Sequence, residues 1–109
     1  MTRITQPEIC SYGFIDYFRQ AYPGSEIISV DKKQVNSCKK FIREYLRPAR
    51  RGHTSYHFKH AVEEKFNCYI SNGAFIIAAL QCGCRVERVG LSNPNAYIHM
   101  DYKTGGIDE

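Results

Sequence analysis

The sequence contains no tryptophan and no apolar run that approaches the roughly 20 residues of a membrane span. Its opening stretch, MTRITQPEIC, lacks the apolar block of a signal peptide, which favours a cytoplasmic protein without a membrane partner. P-loop, G-x-S-x-G and H-E-x-x-H motifs are missing, and the acids are scattered along the chain. We therefore predict a protein that is not an enzyme and needs no cofactor.

Cysteine is present, but five cysteines in a chain without a signal peptide argue against a disulfide framework. The chain does offer two histidines and two cysteines, a donor set that zinc accepts: His57, His60, Cys82 and Cys84. Cys82 and Cys84 form Cys-x-Cys, whereas zinc knuckles use Cys-x₂-Cys. We predict no metal site, and the sequence leaves zinc open as an alternative.

The length of 109 residues suits one domain, 1–109, with a flexible tail at 103–109, KTGGIDE. Apolar residues recur at helical spacing in four segments, and Asp31, Thr54 or Ser55, and Ser71 or Asn72 can cap three of them. The predicted helices cover about 12–22, 32–47, 55–66 and 72–82. The fourth is apolar nearly all round, which predicts burial of Phe75, Ile76, Ala79 and Leu80.

After the fourth helix the apolar period changes to that of strands. CRVERVGL and NAYIHMDY, joined by the turn-forming SNPN, predict a β-hairpin. Val86 and Val89 have opposite parity, which indicates a bulge in the first strand. The predicted fold is α+β: four helices, with the third and fourth as a helix-turn-helix-like pair, followed by a C-terminal β-hairpin in a winged-helix-like order.

Acids are nearly absent from Lys39 to Lys59, where seven basic residues accompany one acid, Glu44. This block carries +6, so the rest of the chain carries −2 of the total +4. Such a block marks either a solvated face or a site for phosphates or acidic protein. The candidate partner-binding or nucleic-acid-binding residues combine it with the predicted hairpin and two adjacent rings: Lys39, Lys40, Arg43, Arg47, Arg50, Arg51, Tyr56, His57, Arg85 and Arg88.

Base readout by the fourth helix is not favoured. A recognition helix contacts base edges with Arg, Lys, Asn or Gln near its N-terminus. Here Asn72 is followed by Gly73, Ala74 and then apolar residues. Arg47, Arg50 and Arg51, in a predicted flexible linker, are better suited to phosphates, which give affinity but little sequence information.

One long segment resembles a known group of proteins. HTSYHFKHAVEEKFNCYISNGAFIIAAL, with NPNAYIHM after it, contains S-Y-x-x-K-H-x-V-E, Y-[IV]-S-N-G-x-F-I-x-A-A and N-A-Y. It resembles small uncharacterised proteins of phages, prophages and other mobile elements over residues 53–100. The resemblance implies a gene of an element that resides in bacteria, and hence the cytoplasm of a bacterial host cell.

Two functions fit that setting. One is an anti-CRISPR-like inhibitor that uses a basic surface to bind and block a bacterial nucleic-acid-handling defence complex. The other is a winged-helix-like DNA-binding accessory or regulatory protein of a phage or mobile element. The small size, the absence of enzyme motifs and the apolar fourth helix favour the inhibitor. The expected partner is therefore a defence protein complex or nucleic acid, and the sequence does not determine the oligomeric state.

Overall fold

The computed structural model describes residues 9–90 and 92–103, and its elements form an α+β fold with four helices and two sheets. In chain order the elements are β1 (Ile9–Cys10), β2 (Gly13–Phe14), α1 (Ile15–Ala21), α2 (Lys32–Tyr45), β3 (Leu46–Thr54), α3 (Ser55–Phe66), α4 (Asn72–Gln81), β4 (Val86–Arg88) and β5 (Ala96–Tyr102). Among the described residues no helix has both the length and the apolar character needed to cross a membrane.

The core is built around α4, which packs against α2, α3 and the β1–β2 hairpin. Phe75, Ile76 and Ala79 are fully buried, as predicted, whereas Leu80 is only half-buried at the edge of the core. The ring of Phe75 stacks on that of Phe58 from α3, with centroids 5.2 Å apart. This contact joins α3 to α4 within the hydrophobic core.

The ends of three helices follow the local signals in the sequence. Asp31, Thr54 and Ser71 are the N-caps of α2, α3 and α4, and each side chain accepts a backbone N–H from the first turn. Gly83, just beyond α4, has a φ of 79°, a conformation that glycine adopts without strain. The first predicted helix is shorter than expected, because α1 begins only at Ile15.

The predicted order of four helices followed by a C-terminal hairpin, described as winged-helix-like, is wrong. The strands are interleaved with the helices: β1 and β2 pair before α1, and β3 lies between α2 and α3. The larger sheet has three antiparallel strands in the order β3–β5–β4, so the predicted second strand is the centre of a sheet. Its apolar residues Ala96, Ile98 and Met100 face the core.

The segment predicted as a flexible linker is the edge strand β3. It pairs with β5 from Leu46 to Pro48 and again at His53 and Thr54, and residues 49–52 bulge out between the two stretches. The expected bulge in β4 is absent, because β4 pairs regularly with β5 and ends before Val89, which is exposed. Segment 46–54 has no apolar alternation, so only its pairing with β5 makes it a strand.

The β1–β2 hairpin covers the beginning of α4. The Gly73 N–H donates to the Ser11 carbonyl at 3.0 Å, and a Cβ on Gly73 would overlap the carbonyl oxygen of Cys10. Of the predicted tail 103–109, residues 104–109 lie outside the described part of the chain. Lys103 is held next to α2, because its backbone N–H donates to the carbonyl of Tyr45 at 2.9 Å.

Candidate functional site

Two side chains of β5 hold the bulge of β3 in place. The Tyr97 hydroxyl accepts the N–H of Gly52 at 2.7 Å and donates to the Gly52 carbonyl at 3.0 Å. The His99 Nδ1 donates to the carbonyl of Arg50 at 3.0 Å, and its Nε2 lies 2.9 Å from a carboxylate oxygen of Glu87. Side chains thus replace the backbone pairing that the bulge interrupts.

Three arginines project from this fixed strand, and we name Arg47, Arg50 and Arg51 the basic edge. All three are exposed. Arg47 lies opposite Asp101 in the strand register. The pKa of Asp101 is lowered chiefly by the hydrogen bond from the Tyr102 N–H. The hydrogen bond from His53 and the charge of Arg47 lower it further. The positive charge of the basic edge is therefore partly balanced by Asp101 at Arg47, and less so at Arg50 and Arg51.

A groove beside the bulge brings together two arginines that are distant in sequence. Arg50 and Arg85 line it, with Cys84, His99 and the backbone of the α4–β4 turn, and its volume is about 450 Å³. Arg85 forms an exposed ion pair with Glu87 at 3.3 Å. No acid pairs with the Arg50 side chain within the described residues, so its guanidinium can meet a phosphate or a carboxylate.

The basic residues of α2 point in different directions. The Lys39 Nζ donates to Gln81 of α4 at 3.1 Å, whereas Lys40 lies 5.7 Å from the ring centroid of Phe66 on α3. Arg43 is exposed, and its carbonyl accepts the Nζ of Lys103 at 3.0 Å. Of the three, Arg43 is the nearest in sequence to β3, and Lys103, which was not among the predicted site residues, adds a charge beside it.

Arg88 is committed to the fold. Its guanidinium donates two hydrogen bonds to Asp16, at 2.9 and 3.0 Å, and lies 4.0 Å from the ring centroid of Phe14. The hydrogen bond from Arg88 is the main cause of the lowered pKa of Asp16. Only 19% of the Arg88 side chain is exposed, so this arginine connects α1 with β4 and offers little to a partner.

The two ring residues that follow β3 have separate surroundings. His57 stacks on His53, with centroids 4.3 Å apart, and its Nε2 lies 2.9 Å from the Tyr102 hydroxyl. Burial, followed by the charge of His53, lowers the pKa of His57. Tyr56 lies at a different place, in a cleft between α3 and the β1–β2 hairpin.

That cleft was not predicted. Its volume is about 360 Å³, and its walls combine aromatic, amide, hydroxyl and ammonium groups: Ser11, Tyr12, Tyr56, Lys59, Tyr69, Asn72, Pro94 and Asn95. The residues come from four separate segments, so no spacing in the sequence indicates that they meet. The feature that marks the cleft as a binding site is the exposure of its tyrosines beside a lysine. Their exposure is known only from the three-dimensional fold and not from the sequence.

Two of the thiols, Cys38 and Cys84, are poor nucleophiles. Burial raises the pKa of Cys84 to about 11 and that of Cys38 to about 12, so both remain protonated at neutral pH. In the described part of the chain, no three His, Cys, Asp or Glu side chains are grouped so that they could hold a metal ion. Of the histidines considered for zinc, His60 donates its Nδ1 to Glu63 at 2.9 Å.

No family model matches the chain, and no curated protein or solved structure shows significant similarity to it.

Proposed function

We propose that this chain is a non-catalytic binding protein that uses its basic edge to bind and block a bacterial nucleic-acid-handling defence complex. The observation that carries the proposal is the presentation of Arg47, Arg50 and Arg51 on an edge strand whose bulge is fixed by Tyr97 and His99. The resemblance of residues 53–100 to proteins of phages and mobile elements gives the bacterial setting.

A fixed backbone favours binding through arginine. Ordering a long side chain and its loop costs free energy on association, and a bulge that is already ordered lowers that cost. The guanidinium group forms planar, paired hydrogen bonds with phosphate or carboxylate. The groove that contains Arg50 and Arg85 could therefore bind one anionic group between two guanidinium groups.

Direct reading of DNA bases by α4 is disfavoured by its surroundings. Seven of its ten residues are buried, and Gly73 in its first turn is packed against the β1–β2 hairpin. A helix that reads a major groove must project polar side chains from an open N-terminal turn. The arginines instead suit phosphates, or the acidic groups of a protein, at a place where sequence is not read.

Loss of binding on removal of the basic edge tests the proposal. The variant Arg47→Gln, Arg50→Gln, Arg51→Gln should capture much less of the complex from a bacterial lysate, with and without nuclease treatment. A matched control, Arg19→Gln, Lys32→Gln, Lys33→Gln, removes the same charge from exposed positions on α1 and α2. Equal capture by the two variants would contradict the proposal.

The same variants test the blocking activity. Expression of the parent chain should restore plaque formation by a phage that the defence complex targets, and the basic-edge variant should lose most of this effect. The control variant should keep it. A parent chain that captures the complex but leaves defence intact would retain the binding part of the proposal and remove the inhibitor part.

A further inference from the structure

The cleft on the β1–β2 side of α3 has the chemistry of a site for a flat polar ring. Three tyrosines line it, and Tyr56 and Tyr69 are 53% and 67% exposed, respectively. The Lys59 Nζ lies 5.5 Å from the ring centroid of Tyr56 and 5.4 Å from that of Tyr69. Large exposed aromatic rings around a concave site are typical of binding surfaces rather than of a solvated face.

Lys59 is held in the cleft by more than the rings. Only 8% of it is exposed, and its Nζ donates to Glu63 at 3.1 Å. An ammonium group has three N–H donors, and Glu63 accepts one of them. The buried lysine therefore supplies a fixed donor next to the rings, without the entropic cost of ordering a mobile side chain.

The opposite wall is equally well ordered. The Tyr12 hydroxyl lies 2.8 Å from that of Tyr22, and this hydrogen bond is the main cause that raises the pKa of Tyr12 to about 12. Asn72 Nδ2 donates to the Tyr12 carbonyl at 3.1 Å and to Asn95 Oδ1 at 2.9 Å. The ring of Tyr12 and the amide of Asn95 are thus positioned before any ligand arrives.

We infer that this cleft receives an unstacked nucleobase of single-stranded nucleic acid whose phosphates are bound by the basic edge. A base presents two faces that stack on tyrosine, and exocyclic carbonyl oxygens and nitrogen atoms that match the Lys59, Asn95 and Ser11 groups. An apolar side chain of a protein partner would cover these polar groups without forming hydrogen bonds to them, which is costly.

The position of the cleft supports this assignment. Tyr56 is the second residue of α3, which begins where β3 ends. The five steps from Arg51 to Tyr56 span at most about 17 Å, even in extended chain. The N–H of Ala96, next to Asn95, donates to the Ser55 hydroxyl at 3.0 Å, which joins this end of β3 to the cleft. Phosphates bound at the basic edge and a base bound in the cleft can therefore belong to the same nucleic-acid strand.

The inference rests on the proposed function, in which the partner is a nucleic-acid-handling complex, and it is tested by fluorescence anisotropy with the full chain. The probes are a labelled strand of 12 thymidines and an abasic strand of the same length and charge. The thymidine strand should bind the parent more tightly, by about 5- to 100-fold for one stacked base.

Tyr56→Ala and Tyr69→Ala should remove that difference, and Tyr69→Phe should largely keep it, because stacking needs the ring. Ile28→Ala, at an exposed apolar residue outside the cleft, is the matched control and should bind as the parent does. Circular dichroism melting verifies that each variant is folded. Equal binding of both strands by the parent, no binding of either, or unchanged binding by both alanine variants would overturn the inference.

The two proposals fail separately. If the basic-edge variant loses the defence complex while the tyrosine variants bind thymidines like the parent, the proposed function stands and the nucleobase site is wrong. If Tyr69→Ala weakens capture of a nuclease-treated complex but leaves thymidine binding unchanged, the cleft contacts protein, which also overturns the inference. If the parent binds the thymidine strand more tightly than the abasic strand but captures no defence complex, the nucleobase site stands and the proposed inhibitor function is wrong.

Discussion

The hydroxyl of Tyr97 bridges both polar groups of Gly52, accepting from its N–H at 2.7 Å and donating to its carbonyl at 3.0 Å. One phenol therefore satisfies two backbone groups in the bulge of an edge strand, where the regular register of backbone pairing with β5 is interrupted. The neighbouring arginines owe their fixed backbone to this contact.

Removal of that hydroxyl should affect both stability and binding. Tyr97→Phe leaves the two polar groups of Gly52 to water or unpaired, which we expect to cost about 1–3 kcal/mol of unfolding free energy. Capture of the partner should weaken as well, because Arg50 and Arg51 lose their fixed strand. Urea denaturation and the capture assay measure the two effects. Tyr69→Phe, at an exposed ring, controls for stability and should melt as the parent does.

The close approach of β3 to β5 makes Gly52 irreplaceable. An added Cβ would overlap the carbonyl oxygen of Ile98, which belongs to backbone and cannot rotate away. Gly52→Ala should therefore cost about 3 kcal/mol or more, or prevent folding. At Gly90 a Cβ meets nothing within 4 Å, so Gly90→Ala is the matched control. Similar melting temperatures for the two variants would show that the bulge does not have this backbone path.

Two arginines three residues apart should behave differently. Arg88→Gln removes the paired bonds to Asp16 and the contact with Phe14, and should destabilise the chain by about 1–2 kcal/mol without weakening partner binding. Arg85→Gln removes an exposed charge from the groove, and should leave the melting temperature nearly unchanged but weaken binding. Calorimetry measures the stability of both variants, and the capture assay measures their binding. A stable Arg88→Gln variant that loses binding, or a destabilised Arg85→Gln variant that keeps it, would contradict the prediction.

The amide of Asn72 cannot be replaced by a carboxylate. Its Nδ2 faces three oxygen acceptors, on Tyr12, Pro94 and Asn95, and the residue is only 7% exposed. Asn72→Asp places a buried negative charge among those oxygens and should cost about 3–5 kcal/mol. Asn36→Asp makes the same chemical change at an exposed position of α2 and should cost little. Thermal melting at neutral pH separates the two.

Stability should depend on pH through His57. Its pKa is lowered in the folded chain, chiefly by burial, so the unfolded chain binds this proton more readily. Stability should fall as the pH drops through about 6.5, the ordinary pKa of histidine. The loss should be complete once the pH is below the pKa of His57 in the folded chain. His57→Gln should therefore lose less in melting temperature than the parent between pH 7.5 and pH 5.5. Equal losses would mean that His57 does not couple to folding.

Local signals in the sequence were sufficient for part of the fold. Asp31, Thr54 and Ser71 cap their helices because a short polar side chain before an amphipathic run satisfies free N–H groups in any surroundings. The alternation in NAYIHMDY likewise predicts β5, since one face of the strand is buried. Each of these features depends on a few neighbouring residues.

The remaining features depend on contacts between distant segments. Nothing in RPARRGHT marks a strand, and β3 exists because β5 offers it a free edge. The sequence also cannot separate Arg85 from Arg88, because the acid that holds Arg88 is Asp16, at the other end of the chain. The arginines could be recognised in the sequence as a cluster of positive charge. The cleft could not, because Tyr12, Tyr56 and Tyr69 come from three segments that meet only in the fold.

The pairing of β3 with β5 also has a consequence for the folding pathway. It joins partners that are far apart in the chain, from Leu46 with Tyr102 to Thr54 with Tyr97, and α3 and α4 lie between them. Closing so long a loop is entropically costly and slow unless the intervening helices are already docked. We expect the arginine-bearing strand to join late during folding and to detach early during unfolding, so that a bound partner would mainly slow the unfolding rate.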